Sequence, residues 1–369
     1  MAKKNLLLEK MKKDKAFADI LRTENVKPEW LSTNCISINL LLSGKIKGGI
    51  KKGAISQICA DSGWGKSMIG YAVLKSAYDS GMSCFIIDTE NATNTDVLTA
   101  LGIDMSQVGV YETNKIPELK QILAKLSKGL SKAEAREVFV LFDSWGPIVE
   151  QQIFEKAEEG SSAVNMSSAK FKNELANVLL SCGFTTLVMN HVYESLQMYG
   201  DKFNIPGGKR LFFNSDAIVL GTSAAKSRDK DREILGKIVT AHVAKGRAAK
   251  EYVKTKYLIL HEGGINPFYG LLDEALESGV VFKPKNGSYA RIDFDVNKET
   301  GEVEKSWKEA DLYCAKFWIP LYKSEKFIKY VESKFSFEDN VLINSMTDVM
   351  RLIEEEDDDE DVVVNEKEK

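Results

Sequence analysis

The chain has 369 residues, of which 44% are hydrophobic and 28% are charged, and its formal net charge at pH 7 is −4. This composition is typical of a soluble globular protein with one large core and smaller flanking parts. No apolar run approaches the roughly 18–20 residues that cross a bilayer, and the five scattered cysteines form no metal or disulfide pattern. We therefore expect a cytoplasmic protein with no membrane partner.

Charge is distributed unevenly along the chain. Residues 354–369 contain ten acidic side chains and two lysines, a local charge of −8, which leaves +4 on the rest of the chain. The unbroken carboxylate run from Glu354 to Asp361 cannot bury itself, so we expect an acidic disordered tail over residues 352–369. Beside a mildly basic body, this tail indicates either a competitor for a polyanionic partner or a device for solubility.

A short N-terminal helical segment precedes the main domain. Apolar residues recur near helical spacing within residues 1–25, and Lys27-Pro28 interrupts the pattern. We expect this segment, residues 1–33 with its linker, to dock on its own core or on a neighbouring subunit.

The strongest motif lies between a predicted strand, Ala54 to Ala60, and a predicted helix that ends near Tyr78. It approaches the phosphate-loop pattern G-x-x-x-x-G-K-[ST]. In such a loop the backbone N–H groups and the helix dipole bind nucleotide phosphates, the lysine reaches the β- and γ-phosphates, and the hydroxyl ligates Mg²⁺. ATP and Mg²⁺ are therefore the predicted cofactors, and Ala60 in place of the first glycine is expected to strain the loop slightly. The predicted nucleotide-binding residues are Ala60, Asp61, Ser62, Gly63, Trp64, Gly65, Lys66 and Ser67.

Three further apolar runs are predicted to be buried strands, and each ends in polar residues. The first begins at Ser83 and ends at Glu90, and the others are followed by Asp143-Ser144 and Asn190-His191. With helical stretches near 117–129 and 167–182 between them, they predict a parallel sheet covered on both faces, which binds ligands at the carboxyl ends of its strands.

These strand ends supply the candidate chemistry. Asp143 is placed to hold the magnesium through water, and Glu90 is the candidate general base for the attacking water. His191 is a candidate sensor of the γ-phosphate, although a lone histidine is more often structural. Each of the two carboxylates also has a plain alternative, a helix cap for Asp143 and a surface position for Glu90.

Later elements follow a different pattern. Strands are predicted at Ala217–Leu220, Lys237–Ala244 and Lys256–His261, then a helix at Leu271–Glu277 and a hairpin that turns at Asn286-Gly287. Residues 34–268 are expected to form the ATPase core. Residues 269–351 are expected to form a small C-terminal α+β domain.

A long stretch from Val192 to Gly208 mixes aromatic residues with cations and ends in paired glycines. Rings that stack on bases and cations that bind phosphate are typical of single-stranded nucleic-acid sites, although an ordinary lid loop is the alternative. A second irregular stretch is predicted at Glu150–Met166. The predicted DNA-contacting residues are Tyr193, Met198, Tyr199, Lys202, Phe203, Gly207, Gly208, Lys170 and Lys172.

The order of these parts resembles the RecA-type strand-exchange recombinases. Asn190-His191, Lys245-Gly246-Arg247 and the stretches 263–273 and 283–291 resemble the bacteriophage UvsX branch in particular. The resemblance covers roughly residues 34–320 and implies a RecA-like ATPase core. One departure besides Ala60 is Val97, which stands where the family has a tyrosine that stacks on adenine.

The resemblance also implies roles. Glu150–Met166 and Val192–Pro206 would be DNA-binding loops, and Lys245 and Arg247 would reach the ATP of a neighbouring subunit in a filament. Without the resemblance, the sequence favours a plain alternative for these two cations, a basic pair at a strand end on the surface. The implied function is ATP-dependent strand exchange between single-stranded DNA and a homologous duplex. A single-stranded-DNA-binding protein and a mediator protein are implied partners. The alternatives are a hexameric helicase with the same core, or a non-catalytic accessory protein switched by ATP.

Overall fold

The computed structural model describes residues 6–13, 27–149, 164–194, 203–205, 208–228 and 233–337. Within these residues no helix is long and apolar enough to cross a membrane. The helices are α1 (Leu6–Lys13), α2 (Ile36–Ser43), α3 (Lys66–Asp79), α4 (Thr95–Ala100), α5 (Ile116–Ser127), α6 (Lys132–Arg136), α7 (Val164–Cys182), α8 (Lys209–Asn214), α9 (Leu272–Glu277), α10 (Ile292–Asp295), α11 (Ala315–Leu321) and α12 (Glu325–Phe335). The strands are β1 (Trp30–Leu31), β2 (Ile50–Lys51), β3 (Ile55–Cys59), β4 (Ser83–Asp88), β5 (Val108–Glu112), β6 (Val138–Asp143), β7 (Thr185–Asn190), β8 (Tyr193–Glu194), β9 (Phe203–Asn204), β10 (Ser215–Arg228), β11 (Ile234–Gly246), β12 (Lys254–Leu260), β13 (Gly264–Ile265), β14 (Val281–Phe282), β15 (Ser288–Arg291) and β16 (Trp307–Lys308).

A nine-stranded sheet organises the described chain, in the order β13-β12-β11-β10-β3-β7-β6-β4-β5. Neighbours from β10 to β5 are parallel, and neighbours from β10 to β13 are antiparallel. The carboxyl ends of the parallel strands meet at one edge of the sheet, which we call the carboxyl edge. The opposite edge is the amino edge.

Helices cover both faces of the sheet, as predicted. Along β6, Phe139 and Leu141 belong to one core cluster with α3, whereas Val140 and Phe142 belong to a second cluster with α5 and α7. Successive side chains of a strand point to opposite faces, so this alternation places one cluster on each face. The predicted RecA-like fold, a mostly parallel sheet between helices, is confirmed.

Several of the described elements were not predicted, and for two of them the structure gives a physical reason. The edge strand β5 contains Gly109, where an added Cβ would lie 2.5 Å from the Phe85 ring, so glycine allows the ring to pack while weakening the strand pattern. In α2 the seven residues from Ser37 to Ser43 are all buried. A helix buried on every side shows no amphipathic period.

The antiparallel strands are longer than predicted. β10 extends past Leu220 to Arg228, and its later residues pair with β11 rather than with β3. Most side chains from Ser223 to Arg228 are exposed. The apolar runs on which the prediction rested therefore cover only the part of the hairpin that lies inside the sheet.

A small C-terminal part follows the sheet. β14 and β15 form the predicted hairpin, with Gly287 at a φ of +73° in its turn, and β16 adds a third strand. Its interior contains a buried ion pair in which Arg291 Nη2 lies 2.8 Å from Asp295 Oδ1. The indole Nε1 of Trp307 donates to Asp295 Oδ2 at 3.1 Å. That a separate domain begins at residue 269 stays a prediction.

Some predictions meet the limits of the described residues. α1 lies within the predicted N-terminal helix, while residues 14–26, 150–163 and the acidic tail lie outside the description. Val164 already begins α7, so the last three residues of the predicted irregular stretch Glu150–Met166 are helical. Tyr193 pairs with Asn204 within a stretch predicted to lack secondary structure, because two-residue strands leave no readable pattern.

Candidate nucleotide site and nucleic-acid interface

The predicted phosphate loop connects β3 to α3 at the carboxyl edge. Gly63 and Gly65 have φ values of +70° and +78°, a left-handed conformation that glycine adopts without steric cost. Of the described non-glycine residues, only Asn34, Asn91 and Tyr252 have positive φ. Ala60 is therefore in an ordinary conformation, and the strain expected there is absent from its backbone.

The start of α3 is open to an anion. Gly65 is the N-cap of α3, and none of the described side chains caps the helix. The first N–H groups of a helix have no partner within the helix, and the helix dipole favours negative charge there. Asp61, Ser62 and Gly63 are exposed, so this end of the helix is accessible.

Lys66 is buried beneath the loop. Its Nζ donates to the carbonyl oxygens of Ala60 and Asp61, both at 3.0 Å, and lies 3.4 Å from His191 Nδ1. Burial lowers the pKa of Lys66, and the nearby carboxylates of Asp143 and Glu90 oppose that shift. The ammonium thus faces the loop and two acids at once.

Glu90 and His191 lie together beside this lysine. His191 Nε2 lies 3.1 Å from Glu90 Oε1, and the Ser144 hydroxyl donates to the same oxygen at 2.5 Å. Because Nδ1 faces the Lys66 ammonium, the neutral tautomer with its proton on Nε2 satisfies both contacts. Burial would raise the pKa of Glu90, but hydrogen bonds from Ser144 and His191 outweigh it, and the pKa is lowered. Glu90 is therefore a carboxylate at neutral pH.

Asp143 forms the candidate metal position with Ser67. Burial raises the pKa of Asp143, and a hydrogen bond from the Ser67 side chain partly offsets it. A half-buried carboxylate beside a hydroxyl suits a magnesium ion whose remaining ligands are phosphate oxygens and water. Within the described ranges no three His, Cys, Asp or Glu side chains form a metal-binding group. Ser67 and Asp143 are the two residues that would hold the ion.

Two residues that position Glu90, Asp88 and Ser144, were not predicted to have a role. Asp88 accepts hydrogen bonds from the N–H groups of Glu90 at 3.1 Å and Thr93 at 2.7 Å, which fixes the turn after β4. Ser144, already described, holds the carboxylate itself. Asp88 ends β4 two residues before Glu90, and Ser144 follows Asp143, so both lie close to the predicted residues. No periodic signal separates such supporting residues from reactive ones.

A cavity of about 470 Å³ lies beside α3. Its walls come from α3, from α4, which contributes Val97, and from the turn between β12 and β13, which contributes His261 and Gly263. Val97, which stands where the family has a tyrosine, therefore lies in the wall of a cavity next to the phosphate-loop helix.

Lys245 and Arg247 lie far from this cluster, towards the amino edge. Lys245 Nζ donates to the carbonyls of Phe212 and Phe213 at 2.8 Å, and the Arg247 N–H donates to the Asp216 carbonyl at 3.1 Å. These partners end α8 and begin β10, before the parallel strands reach the loop. Arg247 also lines a cavity of about 390 Å³ with Trp30 and Phe337. Neither residue is placed to contact its own phosphate loop.

The predicted DNA-contacting residues are only partly described. The Tyr193 side chain is 61% exposed just beyond His191, and Lys170 is exposed on α7. Lys172 Nζ donates to the Gly146 carbonyl at 2.8 Å, and Gly208, at a φ of +85°, precedes α8. Phe203 lies in β9. Met198, Tyr199, Lys202 and Gly207 lie outside the described residues, and the whole set stays a prediction.

Two family models match consecutive parts of the chain. The model of the RecA N-terminal domain matches residues 5–266. The model described as the C-terminal domain of the bacteriophage T4 recombination and repair protein matches residues 268–331.

The chain is also similar to individual known proteins. The recombination and repair protein of Enterobacteria phage T4 is 30% identical over 325 residues, which cover 84% of this chain and 81% of that protein. The RecA protein of Chlorobium limicola is 26% identical, with coverages of 76% and 77%. The crystal structure of the RadB recombinase is 19% identical and has a TM-score of 0.46, covering 64% of this chain and 98% of that one.

Proposed function

This chain belongs to the RecA family, as its sequence motifs predicted, and from that premise we propose that it is an ATP-dependent recombinase that forms filaments on single-stranded DNA and pairs it with a homologous duplex. Members of this family bind DNA, assemble into filaments and hydrolyse ATP. The roles of individual residues below are part of the proposal.

The observation that supports the proposal most directly is the contact chain at the carboxyl edge. Lys66, His191, Glu90 and Ser144 are linked by successive distances of 3.4, 3.1 and 2.5 Å. Four separate segments thus bring a cation, an imidazole, a carboxylate and a hydroxyl to the open end of α3. This is the set of groups that hydrolysis of a bound nucleoside triphosphate requires.

Each group has a distinct task. Lys66 leaves the loop carbonyls to bind the β- and γ-phosphates, while Glu90, held by Ser144, accepts a proton from the attacking water. Ser67 and, through water, Asp143 would hold a Mg²⁺ ion, and that ion would neutralise phosphate charge. His191 senses the γ-phosphate, because it contacts both Lys66 and Glu90 and lies two residues before Tyr193. The base of ATP occupies the cavity beside α3.

Lys245 and Arg247 complete the site of a neighbouring subunit. They lie on the amino-edge side, whereas the phosphate loop lies at the carboxyl edge, so a head-to-tail arrangement brings one edge against the other. Cations supplied in trans stabilise the charge that develops during phosphoryl transfer. The open helical assembly that such contacts generate is a filament.

Nucleic acid binds where nucleotide state is sensed. The stretches after β6 and β7 leave the carboxyl edge next to Ser144 and His191. We assign DNA binding to both stretches, first of the single strand and then of the duplex. A single-stranded-DNA-binding protein and a mediator protein are proposed partners in the host cytoplasm. The acidic tail is proposed to compete with duplex DNA for the same cations.

The test measures ATP hydrolysis, the assembly that forms and the DNA product. Purified protein should hydrolyse ATP faster with single-stranded DNA, form open filaments with a non-hydrolysable ATP analogue, and yield joint molecules only with homologous duplex. Closed rings that unwind forked DNA would identify a helicase. ATP binding without hydrolysis would identify an accessory protein.

A further inference from the structure

The outer side of the phosphate loop is held by the antiparallel strands. Lys237 Nζ, from β11, donates to the Gly63 carbonyl at 2.9 Å. The Tyr257 hydroxyl, from β12, donates to the Trp64 carbonyl at 3.3 Å. Two consecutive loop carbonyls therefore have donors from strands that are 174 and 193 residues away in the sequence.

The same strands pack closely against the loop. A Cβ atom at Gly65 would lie 1.8 Å from Ile259 Cδ1, and one at Gly221 would lie 3.0 Å from the Trp64 ring. Tyr257 is buried. The loop thus lies against a built surface, with Lys237 at its partly exposed rim.

Peptide geometry gives these contacts a consequence. A loop that binds phosphates through its N–H groups must turn its carbonyl groups the other way, because both belong to the same planar peptide units. Donors that hold the carbonyls from outside therefore fix the direction of the N–H groups inside. Ordering the loop beforehand lowers the entropy cost of binding.

We propose that Lys237 is a positioning residue of the phosphate loop, with Tyr257 as its second donor, and that this pair keeps the loop ready for a nucleoside triphosphate. The inference rests on the proposed function in that the ligand is ATP. It concerns residues outside the phosphate-loop motif. Their strands, β11 and β12, contribute neither to the proposed DNA-binding loops nor to the candidate metal position.

The chain offers a matched control for charge. Lys226 is the cross-strand partner of Lys237 in the β10–β11 hairpin, is exposed, and carries the same side chain. Directly paired residues of an antiparallel ladder lie on the same face. Lys226→Met therefore removes the same charge from the same face without removing the contact to Gly63.

The experiment measures equilibrium binding of ATP and ADP and the steady-state turnover of the full chain. Lys237→Met should raise the Kd and the KM for ATP about 3- to 10-fold, the effect of one hydrogen bond, with kcat unchanged because the contact is the same before and during reaction. Lys237→Arg should restore most of the affinity. Tyr257→Phe should weaken binding about 2- to 5-fold, and Lys226→Met should behave as the unmodified chain.

Several outcomes would overturn the inference. Lys237→Met with unchanged or tighter ATP binding would show that the contact does not prepare the loop. An equal loss in Lys226→Met would reduce the effect to net charge, and a fall in kcat alone would place Lys237 in the chemistry. If the unmodified chain itself binds no ATP, the proposed function fails, which is a distinct result.

Discussion

The two parts of the large sheet use their strands in opposite ways. In the parallel part, β3, β4, β6 and β7 all run towards the carboxyl edge, and each leads into a residue of one contact chain. In the antiparallel part, a single strand, β11, brings Lys237 to the phosphate loop and also brings Lys245 to the amino-edge side. Parallel strands thus build one subunit's own candidate site. The antiparallel strand β11 contacts that site at one end and, in the proposed assembly, faces a neighbouring subunit's site at the other.

This difference follows from strand direction. Parallel strands repeat the same orientation, so every strand contributes its end to the same edge. An antiparallel strand such as β11 runs in the opposite direction, so it begins at the carboxyl edge and ends at the amino edge. Its exposed face carries polar residues along its length. The comparison predicts that changes in the parallel part act within one subunit, while changes at the far end of β11 act between subunits.

The largest effect is expected from Lys66→Ala. The substitution removes the buried ammonium that the loop directs towards the phosphates, so we expect loss of measurable ATP hydrolysis and of stable filaments. Equilibrium binding of ATP and turnover are the measurements. Lys125→Ala, which removes an exposed lysine of α5 that does not line the cavity beside α3, should leave both unchanged. Near-normal turnover in Lys66→Ala would place the nucleotide elsewhere.

Arg247→Ala tests whether β11 acts between subunits. We expect DNA-stimulated turnover to fall on the order of 10³-fold, as when a trans-acting arginine is removed, while ATP still binds. Mixing Arg247→Ala with Lys66→Ala should restore part of the turnover, because some interfaces then combine two intact halves.

The control for this mixing experiment is Lys250→Ala. Lys250 lies in the same turn, and its Nζ donates to the Ser333 carbonyl at 2.7 Å. It should retain turnover on its own. No recovery in any ratio of Arg247→Ala to Lys66→Ala would contradict a site shared between subunits.

Glu90→Gln tests the parallel part within one subunit. The amide keeps the size of the carboxylate but cannot accept a proton, so kcat should fall roughly 10²–10⁴-fold with ATP binding retained. Glu112→Gln is a matched control, since Glu112 ends the neighbouring strand β5 opposite Asp88 and is exposed. Equal losses in both variants would point to net charge at this edge.

The sequence predicted the two parts of the sheet unequally, for physical reasons. Buried parallel strands are apolar runs, so the pattern of apolar residues alone locates their ends, and with them Glu90, Asp143 and His191. The contact between Lys237 and Gly63 joins residues remote in sequence, and a lysine on a half-exposed strand shows no local sign of it. The expected strain at Ala60 was wrong because the positive φ values fall on Gly63 and Gly65 instead.

The smallest effect is expected from Tyr193→Ala, which tests with one side chain whether DNA binds at the carboxyl edge. Tyr193 is 61% exposed at the carboxyl edge, and Tyr252 is 73% exposed in the turn between β11 and β12, at the other end of the antiparallel strands. If single-stranded DNA follows the carboxyl edge, loss of the Tyr193 ring removes one base stack and weakens DNA binding by about 1–3 kcal/mol. Tyr252→Ala removes an equally accessible ring from a surface that no DNA strand contacts in this arrangement, so DNA affinity of the isolated chain should stay the same. Fluorescence titration with labelled single strands at fixed salt, alongside ATP binding, measures both variants. Weaker DNA binding in Tyr252→Ala than in Tyr193→Ala would reverse the assignment of the edges.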